Sequence, residues 1–207
     1  MVQAVGRIPW SFHWSDATAA IVSAHKLGGP KGVGALILRD GTDIDPILKG
    51  GGQELGRRSG TENVAGIAGF GAACEAAARD LEAGVWTGVE KLRNILEKTL
   101  ASETKETIFV GNDRPRLPNT SCFATPGWKG ETQVMQMDLA GFAVSSGSAC
   151  SSGKVKVPRV LRAMGLDDRT AEAALRVSLG PTTTEDEVLR FAEAWLTQEK
   201  KFRGRAA

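Results

Sequence analysis

Two short apolar runs that flank one lysine constrain the fold of this chain more than any other stretch. In residues 19–38, AAIV precedes SAHKLGGPKG, and VGALIL follows it. Short β-branched runs that are bounded by glycine are typical of buried strands. The sequence therefore predicts a buried strand, a Gly/Pro loop and a second buried strand, with Lys26 where the first strand ends.

Lys26 has two possible roles at this junction, because lysine is normally a solvated surface charge. It is either the ion-pair partner of a carboxylate or a reactive amine. An apolar pocket disfavours the ammonium form of an amine, which becomes nucleophilic and can form a Schiff base with an aldehyde cofactor. Ser23, His25 and the glycine-rich backbone could then receive an anion such as a phosphate. On the residues alone the ion pair is favoured, because reactive lysines are rare.

Three widely spaced cysteines differ in their sequence surroundings. Cys150 lies in SSGSACSSG, a run of small polar residues that predicts an exposed loop. On the residues alone, Cys150 is either a reactive thiol or an incidental loop cysteine. Cys74 lies in the Ala-rich run AACEAAA, and Cys122 follows Ser121 in a predicted strand, so both are predicted to pack as buried thiols. Because no CxxC spacing occurs, the sequence supports neither a disulfide framework nor a cysteine zinc site, and we expect a reducing, cytoplasmic setting.

Arg176 lies within the apolar run ALRVSLG, which predicts a strand. A guanidinium in such a setting needs an anionic partner, and its fork of N–H donors suits a carboxylate. The partner is either an internal Asp or Glu or the carboxylate of a substrate.

The rest of the chain alternates predicted helices and strands, which indicates α/β or α+β structure. A loop at 50–61 precedes an Ala-rich helix at 63–80, and apolar residues three and four apart from Leu81 to Leu100 predict an amphipathic helix. A composition shift near residue 85 predicts two domains, 1–85 and 86–207. Further strands are predicted at 107–111, 119–123, 142–146 and 175–180, and further helices at 130–140, at 157–166 and from 182 onward.

The composition and the motif spacings argue against several function classes. The 207 residues carry a formal net charge of +2, which gives no reason to expect nucleic acid or a membrane surface as a partner. No run approaches the roughly 18–20 apolar residues of a membrane span. GSACSSGK differs from a phosphate-binding P-loop in its glycine spacing and in the residue after its lysine, and no GxGxxG occurs.

Five stretches, in this order along the chain, together resemble the cysteine desulfurases. They are SAHKLGGPKGVGAL, GGGQELGRRSGTENVAGIAGFG, SSGSACSSG, VLRAMGL and LRVSLGPTTTEDEV. Those enzymes form part of the class V branch of the aminotransferases and use pyridoxal 5'-phosphate. The resemblance implies an α/β chain with part of the large domain of the type I pyridoxal-phosphate-dependent transferase fold in 1–85. The smaller C-terminal α/β domain, which carries the cysteine loop, is then expected in 86–207.

The resemblance also implies a set of cofactor-binding residues. Lys26 resembles the lysine that forms the Schiff base, and Ser23 and His25 resemble residues that hold the cofactor phosphate. Gln3 resembles the glutamine that hydrogen-bonds the phenolic oxygen of the cofactor. Thr61 resembles a threonine that reaches the phosphate of the partner subunit's cofactor, which implies a homodimer. No metal site is implied.

For the substrate, the resemblance implies L-cysteine. Arg176 resembles the arginine that binds the substrate carboxylate, and Cys150 resembles the cysteine that takes the sulfur as a persulfide while alanine is released. The loop around Cys150 is similar to that of a subgroup that hands sulfur to scaffold proteins for iron–sulfur cluster and thio-cofactor assembly.

The chain also departs from the family pattern. An Asp that precedes the VQA motif and pairs with the cofactor's pyridine nitrogen has no counterpart, and neither do an upstream His and Asn. Family members run to about twice this length, so the sequence is expected to be a C-terminal fragment. Three alternatives stay open: a selenocysteine lyase, a class V aminotransferase without sulfur chemistry, and a non-catalytic fragment that dimerises or docks sulfur acceptors.

Overall fold

The chain divides into two units, Met1–Val85 and Trp86–Ala207. The structure is a computed structural model that describes residues 1–147 and 157–206. Within those ranges, no helix is both long enough and apolar enough to cross a membrane.

A two-stranded antiparallel ribbon organises the first unit. Strand β1 spans Ala19–Ser23 and strand β2 spans Gly34–Leu38. Ala19 lies opposite Leu38, and Ser23 lies opposite Gly34. The predicted strand, loop and strand are thus confirmed, and the Gly/Pro loop carries Lys26 in a short 3₁₀ turn, Ala24–Lys26.

The prediction that both strands are buried is wrong. In β1 only the alternate residues Ala20 and Val22 are buried, whereas Ile21 is 61% exposed. Strand β2 has no buried residue, and its Leu36 is 50% exposed. Successive side chains of a strand point to opposite faces, so this pattern shows that only one face of β1 is covered. A continuous apolar run does not distinguish a strand covered on one face from one covered on both.

A long helix completes the first unit. Helix α1 spans Val64–Glu82 and begins after Asn63, whose side chain accepts a hydrogen bond from the backbone N–H of Gly66. This confirms the helix predicted over 63–80. Leu81, predicted to open the next helix, instead lies in the last turn of α1, because Gly84 adopts a positive φ of 72° and interrupts the helical path.

The second unit is built on a four-stranded antiparallel sheet with the strand order β3-β4-β6-β5. Strands are present at all four predicted positions, but those predicted at 107–111 and 142–146 are each reduced to two residues. The strands are β3 (Ile108–Phe109), β4 (Thr120–Ala124), β5 (Ser145–Ser146) and β6 (Ala174–Ser178).

In the part of the second unit that the structure describes, five helices accompany this sheet: α2 (Val85–Glu103), α3 (Gly130–Leu139), α4 (Arg159–Ala163), α5 (Asp168–Glu172) and α6 (Glu185–Ala206). The short α5 was not predicted. Its signal was Asp167, whose side chain accepts a hydrogen bond from the Thr170 N–H in the manner of an N-cap. The start of α6 was predicted correctly, because Thr184 and Glu187 form a reciprocal capping box.

The main core of the second unit lies on one face of the sheet. Phe123 and Leu175 face each other across β4 and β6 and are fully buried. The Trp195 ring contacts the Phe123 ring edge-on at 5.2 Å, and its Nε1 donates a hydrogen bond to Oε1 of the buried Gln133. Leu96 and Leu100 of α2 join this core and Leu92 packs against it, as the apolar spacing predicted.

A smaller cluster lies on the opposite face. The neighbouring strand residues Ala124 and Ala174 pack there with Leu161, Ala171 and Ala173. Because alternate residues of a strand share a face, the side chain of Arg176 lies on the same face as Ala174.

Candidate functional site

Two backbone hydrogen bonds close the turn that carries Lys26. The carbonyl of Ala24 accepts hydrogen bonds from the N–H groups of Leu27 and Gly29, both at 2.9 Å. Ala24 is fully buried, and Gly28 has a positive φ of 86° that lets the chain reverse directly after Lys26 and Leu27. Lys26 itself is half-buried.

Helix α1 presents a stripe of small residues that this turn and its neighbours approach closely. A Cβ atom on Gly29 would lie 3.0 Å from Cβ of Ala73, and one on Gly6 would lie 2.8 Å from Cβ of Ala77. A Cβ on Gly69 would lie 2.7 Å from the ring of Pro30. Gly69, Ala73 and Ala77 are four residues apart, so they lie on one face of α1. The Ala-rich sequence of this helix therefore serves to bring the lysine loop close to it.

Two of the predicted phosphate ligands lie next to each other. Ser23 Oγ and His25 Nδ1 are 2.9 Å apart, within hydrogen-bonding distance. Both residues line an open depression together with Gly32 and Gly34. Hydroxyl, imidazole and backbone N–H groups are the donors that a phosphate accepts.

Arg7 was missed by the sequence reasoning, although it connects two predicted cofactor residues. Its Nη1 donates to the backbone carbonyl of Gln3 at 2.7 Å and to the Gln3 side-chain oxygen at 3.2 Å. Its Nη2 donates to the backbone carbonyl of Lys26 at 2.9 Å. Burial lowers the pKa of the Arg7 guanidinium below its ordinary value. The only sequence signal was an arginine within the matched segment VQAVGRIP.

The Lys26 ammonium has no ion-pair partner among residues 1–147 and 157–206. The ion-pair interpretation of this lysine is therefore unsupported, and its amine is available to a ligand. A ligand with an aldehyde and a phosphate, as in pyridoxal phosphate, fits the donors present: Lys26 for the aldehyde, and Ser23 and His25 for the phosphate.

Thr61 lies exposed at the end of the glycine-rich loop. Its carbonyl accepts a weak hydrogen bond from Arg58 Nη1 at 3.4 Å. Within the same loop, Glu54 and Leu55 have positive φ values of 51° and 57°, a conformation rare for residues other than glycine. The role of Thr61 toward a second subunit stays a prediction.

Arg176 lies in the middle strand pair of the second unit. On β6 it is flanked by Cys122 of β4 and Ser145 of β5, which are its direct partners in the sheet. Directly opposed residues of an antiparallel pair share a face, so both neighbours of the guanidinium are small and neutral. Arg176 forms no ion pair with any carboxylate that the structure describes. The sequence predicted either an internal carboxylate or a substrate carboxylate as the partner of Arg176. No internal carboxylate is observed next to it in the described structure.

The two cysteines that the structure describes differ in burial. Cys122 is half-buried, and burial raises the pKa of its thiol, an effect that the charges of Arg176 and Arg116 partly offset. Cys74, predicted to be packed, is exposed, although partial desolvation still raises the pKa of its thiol. The prediction for Cys74 is wrong because the packed face of α1 is the stripe through Ala73, and the next residue is rotated by about 100°. Cys150 lies outside the described residues.

Comparison with known proteins identifies related sequences over most of the chain. Residues 1–191 match the family described as Aminotransferase class-V. A cysteine desulfurase from Enterobacter agglomerans is 43% identical over 187 residues, which are 90% of this chain and 46% of that protein. A cysteine desulfurase from Cereibacter sphaeroides is 43% identical over 192 residues, 93% of this chain and 49% of its own length. The chain spans about half the length of the curated relatives it matches.

Solved structures give the same result. A NifS-like protein from Rickettsia africae superposes with a TM-score of 0.85 at 35% identity, covering 95% of this chain and 52% of that one. SspA, solved in complex with cysteine, superposes with a TM-score of 0.63 at 27% identity, covering 89% of this chain and 50% of that one. The predicted α/β fold, with its relationship to the type I pyridoxal-phosphate enzymes, is confirmed.

Proposed function

Because this chain belongs to the class-V aminotransferase family, we propose that it serves as a pyridoxal-phosphate-dependent cysteine desulfurase, which removes sulfur from L-cysteine. The observation that carries this proposal is a pair of cations without carboxylate partners in the described structure, Lys26 and Arg176. Both side chains are half-buried, and a cation without a carboxylate partner keeps its N–H donors or its amine available to a ligand.

In the first unit, the residues around Lys26 hold the cofactor. Ser23 and His25 donate hydrogen bonds to its phosphate, Gln3 binds its phenolic oxygen, and the Lys26 amine binds its aldehyde. When bound, the cofactor accepts the electron pair that is released when a bond at the amino acid's α-carbon breaks. Lys26, once its amine is free, moves the α-proton as a general base.

In the second unit, Arg176 binds the carboxylate of L-cysteine through its fork of N–H donors. The Cys150 thiolate attacks the sulfur of the substrate. The bond between that sulfur and the substrate's β-carbon breaks, and the β-carbon takes up a proton. The products are L-alanine and a persulfide on Cys150, in which the sulfur added to the protein comes from the substrate. The solved complex of SspA with cysteine supports this choice of substrate.

The proposal includes partners beyond the substrate. We expect a cytoplasmic homodimer, in which Thr61 reaches the cofactor phosphate of the second subunit. The persulfide sulfur then passes to an acceptor protein, such as a scaffold for iron–sulfur cluster or thio-cofactor assembly.

The proposal is tested by following both products in the full chain. The protein is incubated with excess pyridoxal phosphate and L-cysteine, alanine is quantified, and persulfide is located by alkylation and mass spectrometry. Cys150→Ala is expected to lower alanine formation by about 100-fold or more, since the nucleophile is removed. Cys74→Ala is the matched control, because it removes an exposed thiol, and it should retain the rate within about twofold.

Two results would contradict the proposal. One is persulfide on Cys74 or Cys122 in place of Cys150. The other is a chain that binds pyridoxal phosphate but releases no alanine from L-cysteine, which would favour a non-catalytic docking role.

A further inference from the structure

One guanidinium joins the two segments that carry Gln3 and Lys26. Arg7 donates from Nη1 to both oxygens of Gln3 and from Nη2 to the Lys26 carbonyl, 19 residues along the chain. The planar guanidinium fixes the relative direction of its N–H donors. The distance between Gln3 and the Lys26 backbone is therefore set by a rigid group.

The position of Arg7 is itself fixed by close packing. The preceding residue, Gly6, has a positive φ of 75°, and a Cβ there would lie 2.8 Å from Cβ of Ala77 and 3.3 Å from Leu27. Only glycine satisfies both conditions, so the backbone next to Arg7 is held against helix α1 and against the residue that follows Lys26.

Arg7 contacts Lys26 through the backbone carbonyl of that residue. An arginine next to a reactive amine would repel a proton on it, but this guanidinium is directed to the carbonyl, at the opposite end of the residue. The contact thus constrains the direction in which the Lys26 side chain leaves the turn, while the amine stays available to a ligand.

We propose that Arg7 is a positioning residue, which aligns Lys26 and Gln3 with each other so that both reach the same bound molecule. This inference rests on the proposed function, in which Lys26 and Gln3 contact pyridoxal phosphate. A variant without Arg7 still has the side chains of Lys26 and Gln3. However, these two side chains are correctly oriented toward the same bound molecule in a smaller fraction of the protein molecules.

The test compares Arg7→Met with Arg39→Met in the full chain. Arg39 is a matched control, because it also donates from its guanidinium to backbone carbonyls of the first unit, those of Ser15 and Ala17. Each protein is mixed with pyridoxal phosphate and reduced with borohydride at successive times, and the labelled lysine is identified by peptide mapping. We expect Arg7→Met to slow labelling of Lys26 about tenfold, as for one lost charge-assisted hydrogen bond, and Arg39→Met to change it less than about twofold.

A second measurement is independent of the cofactor. Amide hydrogen exchange at Leu27 and Gly29 reports opening of the turn that their hydrogen bonds to Ala24 close. In the cofactor-free protein, Arg7→Met should accelerate this exchange about tenfold and Arg39→Met should not. Arg7→Lys, which keeps the charge but not the planar fork, should give intermediate values in both measurements.

The outcomes separate this inference from the function on which it rests. If the unchanged chain labels Lys26 selectively and Arg7→Met does so at the same rate, the positioning role is overturned and the proposed function stands. Equal slowing of Lys26 labelling by Arg39→Met would also overturn the positioning role. Loss of any arginine that binds backbone carbonyls in the first unit would then have the same effect. If the unchanged chain spreads label over Lys31 and Lys49, the proposed function fails and the inference fails with it.

Discussion

The second unit buries a large aromatic and aliphatic core, whereas the first unit buries almost no large side chain. Phe123, Leu175 and Trp195 are fully buried in the second unit. The buried apolar residues of the first unit are small: Ala20, Val22 and Ala24. Several of its large apolar side chains are instead exposed, with Trp14 at 86%, Ile47 at 95% and Leu55 at 89%.

This difference shows that the two candidate ligand-binding regions are held in place by different forces. Arg176 lies on a strand whose opposite face packs on a hydrophobic core. Lys26 lies on a turn held by backbone hydrogen bonds, by the Arg7 guanidinium and by close approach to small residues such as Ala73. The strand position tolerates substitution as long as the core persists, whereas the turn depends on a few individual contacts.

The largest effect is expected from truncating the core of the second unit. Trp195→Ala should lower the free energy of unfolding by about 3–5 kcal/mol, because it leaves a cavity among Phe123 and Trp128. Val22→Ala, the equivalent change in the first unit, should cost only about 1–2 kcal/mol, the burial of two methyl groups.

Urea titration followed by hydrogen exchange resolves these losses by unit. The comparison between the units would be broken by a loss for Val22→Ala as large as that for Trp195→Ala. Such a result would mean that the first unit has a cooperative core that its burial pattern does not show.

A smaller effect is expected at Arg176, from a charge placed beside it. Cys122 lies directly opposite Arg176, so Cys122→Asp would supply the carboxylate partner that the described structure lacks. An Asp there would compete with the substrate, and binding of L-cysteine should weaken about 10- to 100-fold, as for a charge-assisted hydrogen bond. The measurement is a titration of the pyridoxal-phosphate-loaded protein with L-cysteine, read by absorbance.

Cys122→Ser is the matched control, since serine keeps a small neutral side chain at this position. It should bind L-cysteine within about twofold of the unchanged chain. Unchanged binding in Cys122→Asp, with the fold verified by circular dichroism, would show that Arg176 does not bind the substrate carboxylate.

The features that sequence predicted well are local ones. The capping box of Thr184 and Glu187 is set within four residues, and the strand, loop and strand around Lys26 are set by a run of apolar residues and glycines. Turn and cap chemistry acts over a few residues, so its signal is contained in the sequence window itself.

The features that sequence missed depend on contacts between distant residues. The Arg7 contact joins residues 19 apart, and no periodicity indicates it. Cys74 is exposed because a different face of α1 packs against the lysine loop. Almost all side chains of this helix are small, and Ala73 and Cys74 are both small and apolar, so the sequence does not indicate which face packs. Burial of β1 and β2 likewise depends on what covers the ribbon, which is a property of the tertiary structure.

A last difference between the units is a pH dependence that belongs to the second one. Glu97 of α2 accepts hydrogen bonds from Arg116 Nη1 and Ser121 Oγ, each at 2.7 Å. Burial alone would raise the pKa of Glu97, but these hydrogen bonds and the charges of Arg116 and Arg93 outweigh it and lower the pKa below its ordinary value of 4.5. A carboxyl group whose pKa is lower in the folded state stabilises the fold above its unfolded pKa, and this stabilisation is lost as pH falls through the folded pKa.

Glu97→Gln should therefore lower the free energy of unfolding of the second unit by about 2 kcal/mol at pH 7, as for hydrogen bonds to a charged group. The difference from the unchanged chain should hold down to about pH 4.5 and shrink below it, because the unfolded chain then binds a proton at Glu97 before the folded chain does. It should be smallest below the lowered folded pKa, where Glu97 is protonated in both states of the unchanged chain. Glu193→Gln, at an exposed position of α6, is the control and should change stability by less than about 0.5 kcal/mol. Urea unfolding at a series of pH values from 2 to 7 measures both variants.

A Glu97→Gln deficit in the free energy of unfolding that stays constant into strong acid would show that the residue acts through packing and not through its charge. Exchange in the first unit should be unaffected at every pH, since the Glu97 network of Arg116 and Ser121 lies wholly within the second.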